Sequence, residues 1–161
     1  MTEEKTEDNN IKKQMATYFA FAILMIFLNY IIQKLNQIVI APFICDRLGD
    51  IGFIHTLYCS VDPFNMPELV GSIVAVGITY IIKFFLDKYL VFKKKGEELK
   101  ETSIEFMKYF GFAILTTIEN IGIQFLLSNF LNTPLEISFV VALSIGYLTK
   151  FFLDRKYVFN D

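Results

Sequence analysis

Lys83-Phe84-Phe85-Leu86-Asp87-Lys88, followed by Val91-Phe92, returns 67 residues later as Lys150-Phe151-Phe152-Leu153-Asp154-Arg155 with Val158-Phe159. Tyr80 returns as Tyr147 in the same register. Upstream, Tyr18-Phe19-Ala20-Phe21-Ala22-Ile23-Leu24 is echoed 91 residues on by Tyr109-Phe110-Gly111-Phe112-Ala113-Ile114-Leu115. In that register Asn29 falls on Asn120 and Gln33 on Gln124. The chain is a tandem duplication, and its first copy carries 24 extra residues, the difference between the two offsets. Internal repeats recur in small transport proteins, where the substrate site lies at the repeat interface.

The repeated stretches are apolar enough to decide the solvent. Of the 161 residues 54% are apolar, and the mean hydropathy is +0.46, too high for an ordinary soluble domain of this size. Four apolar runs stand out: Met15 to Leu35, Leu69 to Phe85, Phe106 to Leu127 and Ile137 to Phe152. A spanning helix needs about 20 mostly apolar residues, and all four runs fit or nearly fit. A soluble four-helix bundle would need polar stripes at helical spacing. Ala16 to Leu28 offers only Thr17 and Tyr18. The predicted fold is therefore an all-α membrane protein, four transmembrane helices forming two parallel helical-hairpin repeats.

Lys and Arg are sorted by side. Lys5, Lys12 and Lys13 precede the first run; Lys88, Lys93, Lys94, Lys95, Lys100 and Lys108 lie between the second and third; Arg155 and Lys156 follow the fourth. The other side holds only Lys34 and Arg47. The positive-inside rule then predicts a multi-pass protein of the cell membrane with both termini cytoplasmic. The acidic start (Glu3, Glu4, Glu7, Asp8) lacks a cleavable leader pattern, so the first run is expected to stay as an anchor. The organisation is a cytoplasmic tail (1–14), a first two-helix repeat (15–92) with an extracytoplasmic insertion (37–68), a cytoplasmic linker (93–105) and a second repeat (106–161).

Pro42, Gly49, Gly52, Pro63 and Pro67 punctuate the insertion, which reads as irregular or interfacial structure, with a short helix lying on the outer membrane surface as the alternative. Cys45, Cys59 and His55, the only cysteines and histidine of the chain, all lie there. On an oxidising side Cys45 and Cys59 form a disulfide or stay as two buried thiols. Three ligand types with no fourth and no known spacing argue against a metal site.

Ionisable groups in a span cost about 2.5–3.5 kcal/mol each at its centre, so each needs a reason. Glu119 lies 11 residues beyond Lys108. That is about 16 Å along a helix, near mid-bilayer. Its repeat counterpart is Leu28. Proton coupling, a contact to a sugar hydroxyl, or hydrogen-bonded glue between helices would each explain it. Asn29 with Gln33 and Asn120 with Gln124 form i, i+4 pairs, either helix glue or a polar path. Lys83 and Lys150 each precede an acid, Asp87 and Asp154, by four residues, the weaker order for supporting a helix. Two duplicated ammonium groups tethered by carboxylates suit a phosphate at headgroup depth, with Lys88 and Arg155 adding charge. Snorkelling anchors are the plainer alternative. Gly71, Ala75 and Thr79 against Ser138, Ala142 and Gly146 make a small-residue ladder that suggests close contact of the second and fourth helices. Tyr80 and Tyr147 stack on a sugar or belong to the aromatic belt.

The repeated motif, Lys83 to Phe92 and Lys150 to Phe159, resembles the Asn-Phe-x-x-Asn-Arg-x-x-x-Phe type ending of the even-numbered spans in the GtrA-like family, and Asn29 matches a polar residue of its first span. The resemblance covers most of the chain outside the tail and the 37–68 insertion. It implies a role in cell-surface polysaccharide synthesis, translocating a polyprenyl-phosphate-linked monosaccharide across the membrane. Lys and Asp stand at 83, 87, 150 and 154 where the family more often has Asn, which leaves the head group and any proton coupling open. The expected partners are that lipid, a second copy of the chain and, in a rival reading, a glycosyltransferase that the protein docks or stabilises. A third reading is a small proton-coupled exporter using Glu119. No cofactor, metal, nucleic acid or catalytic residue is expected, because no nucleophile elbow, phosphate loop or zinc signature is present.

Overall fold

Asn65 opens the second long helix, accepting from the backbone N–H of Glu68 (3.3 Å) and donating to the Glu68 carboxylate (3.0 Å). Pro67 follows in the first turn, where its missing N–H costs nothing. Pro134, 67 residues later, caps the fourth long helix. The computed structural model that reveals these starts describes residues 2–62, 65–94 and 99–159. Pro63, Lys95 and the side chains of Glu3, Glu4, Lys5, Glu7 and Asp8 lie outside the described part.

Among the described residues the chain is helical throughout: α1 (Thr2–Leu35), a π-helical turn π1 (Asn36–Ile40), α2 (Ala41–Leu48), α3 (Gly52–Tyr58), α4 (Met66–Leu86), π2 (Asp87–Val91), α5 (Leu99–Phe130), α6 (Leu135–Leu153) and π3 (Asp154–Val158). Four segments are long and apolar enough to cross a membrane: Asn9–Leu48, Met66–Val91, Leu99–Leu127 and Ile137–Val158. Ile26, Phe27, Ile73, Val76, Ile118 and Ile121 stay exposed on them, as lipid-facing residues do. The first segment, 40 residues, would reach about 60 Å as one straight helix, twice the roughly 30 Å hydrocarbon layer.

The insertion is more regular than its punctuation predicts. Pro42 falls in the first turn of α2, where a helix tolerates it, and Gly49 marks the end of α2. A Cβ on Gly49 would strike the Cys45 carbonyl. Cys45 and Cys59 are joined in a disulfide, with Cα atoms 5.4 Å apart, tying α2 to the end of α3.

The chain divides into two compact units: Ala16–Leu86, and Met1–Met15 together with Asp87–Asp161. The second half of each motif copy thus belongs to the latter unit, although the first sequence repeat runs to residue 92.

In the first unit α1 and α4 form an antiparallel hairpin. Asn36 Nδ2 donates to the Pro67 carbonyl (2.8 Å), Ser72 to Gln33 (3.3 Å), and Asn29 Nδ2 meets Thr79 Oγ1 at 3.5 Å. Gly71 admits the Asn36 side chain, which a Cβ there would hit. In the other unit α5 and α6 pair in the same sense, with Gly146 lying against Asn120 and the Thr116 carbonyl. Three of the small residues close the hairpins: Gly71 and Thr79 lie on α1, and Gly146 on α5.

Candidate functional site

Both copies of the motif end in a π-helical turn that starts at the aspartate, Asp87–Val91 and Asp154–Val158. Such turns widen a helix by one residue and cluster at functional sites. Here they follow directly on the two lysines. Lys83 and Lys150 are 9% and 8% exposed, and Asp87 and Asp154 are fully buried.

Each ammonium lies on a tyrosine face. Lys83 Nζ is 3.7 Å from the Tyr18 ring centroid and Lys150 Nζ is 3.5 Å from that of Tyr109. Both tyrosines are fully buried. A cation over an aromatic face gains about 0.5–1 kcal/mol when exposed and about 2 or more when desolvated. That alone does not offset burying a charge, so a counter-ion is needed. Around Lys150 it is Asp154, whose carboxylate accepts at 2.7 Å. The Tyr109 hydroxyl donates to Asp87 (2.7 Å), so one tyrosine serves a cation with its face and a carboxylate with its edge.

Lys88 is 1% exposed and donates to Thr102 (2.8 Å) and to Glu105 (2.6 Å). Lys94 Nζ reaches the other Glu105 oxygen at 2.8 Å. Arg155, the repeat counterpart of Lys88, is partly exposed. The final residues of the two motif copies meet: the Phe92 and Phe159 rings stack at 4.7 Å, and Phe159 lies 6.0 Å from Tyr109.

The mid-helix polar residues form two different groups. In the first unit Gln33 donates to Asn29, which also reaches Thr79. In the other, Glu119 accepts from Thr149 (2.9 Å), and Asn120 Oδ1 is buried without a hydrogen-bond partner. Tyr80 and Tyr147 are both half-buried. Among the described residues no group of three or more His, Cys, Asp or Glu is arranged to hold a metal ion.

Sequence reasoning singled out the lysines and aspartates and passed over Tyr18, Tyr109, Thr102, Glu105 and the π-turns. The signal for the tyrosines was present, since Tyr18 and Tyr109 head the second duplicated stretch. Nothing in periodicity marks a π-turn, because it adds one residue without changing composition.

No curated protein and no solved structure matches the chain. The GtrA/DPMS transmembrane domain does, over residues 47–160. The match begins near the end of α2, so most of the first spanning segment, with Asn29, lies outside it, while both motif copies lie inside. With more than two thirds of its length matched, this chain belongs to the GtrA/DPMS transmembrane-domain family.

Proposed function

We propose that the protein binds a polyprenyl-phosphate-linked monosaccharide and carries it across the membrane. The observation that supports this most is the duplicated lysine held on a tyrosine face at the end of a spanning helix. Membership of a family associated with lipid-linked sugars supports the cargo class. A buried ammonium that already has a carboxylate partner can exchange it for a phosphate without passing through a bare charge. Asp154 leaves Lys150 as the phosphate arrives, and Tyr109 keeps its face on the ammonium throughout. Lys83, held on the Tyr18 face, takes the corresponding part for the first copy. Arg155, partly exposed at the end of the second copy, adds positive charge.

The sugar then needs hydroxyl partners within the span. Glu119, Asn120 and Asn29 supply acceptors and donors, while Tyr80 and Tyr147 offer faces for the ring. The isoprenoid chain stays in lipid against the exposed aliphatic surface. No covalent chemistry takes part. Four helices make a thin wall around a glycosylated phosphate, so the carrier works as a homodimer. Both termini face the cytoplasm, which puts the Cys45–Cys59 bridge on the oxidising side.

Transport of a polyprenyl-phosphate sugar into reconstituted vesicles, followed by its protection from a membrane-impermeant oxidant, tests this directly. The Lys83→Gln, Lys150→Gln double variant is expected to lose transport, and Lys150→Gln with Asp154→Asn, which leaves no unpaired carboxylate, to lose it without the cost of a bare buried charge. Full transport by the double-lysine variant would overturn the reading. A glycosyltransferase-docking role is favoured by one feature, the exposed Phe43 and Phe53 beside the disulfide. It gains if only changes there abolish sugar-lipid processing. Loss of function in Glu119→Gln alone would favour the proton-coupled exporter.

A further inference from the structure

The duplication supplies an internal control for every contact. The 67- and 91-residue offsets carry the Lys150–Tyr109 contact onto Lys83–Tyr18, and both are formed. Applied to the Lys88–Glu105 ion pair, the same exchange gives Arg155 and Gln14. The cation is kept in the second version of the pair and the acid is replaced by a neutral amide.

The consequence is visible at both residues. Lys88 is buried and neutralised by Glu105 at 2.6 Å. Arg155 is partly exposed and makes no hydrogen bond or ion pair among the described residues. Gln14 Oε1 is buried and has no hydrogen-bond partner among the described residues. A symmetric protein would have filled both positions with an ion pair.

We propose that anion recognition is asymmetric: Arg155, whose repeat-related acid has become Gln14, contacts the phosphate group, and Lys88 is a structural cation. This deepens the phosphate-lipid reading above and rests on it. A guanidinium offers a planar fork that takes two phosphate oxygens at once, unlike an ammonium. The ligand class is a phosphate ester, with a polyprenyl monophosphate as its lipid form and inorganic phosphate as its free form.

The decisive substitution is Gln14→Glu, which leaves Arg155 and the Lys88–Glu105 pair in place and restores the missing acid. Full-length protein in nanodiscs of zwitterionic lipid is titrated with polyprenyl monophosphate, and with the unphosphorylated polyprenol as control. The expected result is weakening on the order of tenfold in Gln14→Glu and in Arg155→Gln, with thermal unfolding of Gln14→Glu unchanged or raised. Arg155→Lys is expected to fall between these and the wild type. Inorganic phosphate that competes in the wild type, with its competition weakened in Gln14→Glu, supports the same site and shows that the lipid tail is dispensable. Unchanged binding in Gln14→Glu and Arg155→Gln overturns the asymmetry while leaving the carrier reading intact. Equal competition by phosphatidylglycerol overturns it in favour of a general acidic-lipid collar. Wild-type protein that binds the phosphate no better than the polyprenol overturns the carrier reading itself.

Discussion

The two hairpins began as copies and now differ most in their middles. At their ends they agree: a lysine on a buried tyrosine, an aspartate four residues on, a π-turn and a phenylalanine. Midway, the first hairpin closes its polar groups on one another, with Asn29 joined to Gln33 and Thr79. The second replaces Thr79 by Gly146 and Leu28 by Glu119, leaving Asn120 Oδ1 without a partner. A buried polar group left unpaired costs about 1–3 kcal/mol, so such a group is retained for a reason other than stability. A repeated lysine–tyrosine contact joined to divergent middles fits a protein that sets two ammonium groups near the charged part of a ligand and reads the rest of it with one hairpin.

The largest break in this comparison comes at the Lys88–Glu105 pair. Glu105→Ala strips the acid from two lysines, one of them 1% exposed, and is expected to cost about 3–5 kcal/mol. Gln14→Ala, its counterpart, is expected to be neutral to stabilising because the buried acceptor it removes has no partner among the described residues. Thermal unfolding of both variants in one detergent reads the difference. Equal losses would mean that exchanging the acid for an amide at position 14 has not changed what that position contributes.

Next in size is the disulfide, which belongs to the first copy alone. Cys45→Ser with Cys59→Ser opens a loop whose ends are 14 residues apart, and is expected to cost about 3 kcal/mol. Shifts in tryptic cleavage confined to residues 41–62, at unchanged cleavage near Lys100, would mark the loss as local.

Much of this was legible in the sequence. Repeat spacing and apolar length gave four helices, because a membrane span needs little more than about 20 apolar residues. The ammonium–carboxylate pairing of Lys150 with Asp154 followed from i, i+4 spacing. The sequence left the insertion open between irregular structure and a short interfacial helix, since Pro42 and Gly49 carry the same letters whether they interrupt a helix or begin and end one. Glu105 was passed over for a different reason: it pairs with Lys88 across a chain separation of 17 residues, and no local period encodes that. Arg155 and Lys88 look alike in the motif, and only their surroundings separate them.

The small-residue ladders offer a gentler contrast. At Gly71 a Cβ would meet the Cβ and amide of Asn36, so Gly71→Ala is expected to cost about 1–3 kcal/mol through overpacking. At Gly146 the nearest atoms to a Cβ are 3.5 and 3.6 Å away, ordinary contact, so Gly146→Ala is expected to be tolerated. Unfolding titrations that ranked the two the other way would show that the ladders do not close their hairpins as described.

The smallest expected effect separates stability from function most cleanly. Asn29→Ala removes an amide that reaches Thr79 and Gln33, and intramembrane hydrogen bonds of this kind are worth about 0.6–1.7 kcal/mol. Asn120→Ala removes a buried acceptor that has no partner among the described residues, so its effect on unfolding is expected to be neutral to stabilising. Transport should reverse the order, because a ligand hydroxyl has a vacant acceptor at Asn120 and a filled one at Asn29. Measuring both variants in both assays gives a crossed pattern if the second hairpin reads the cargo. A parallel pattern, with each variant losing stability and transport in proportion, would reduce both asparagines to helix glue and remove the functional difference between the two halves.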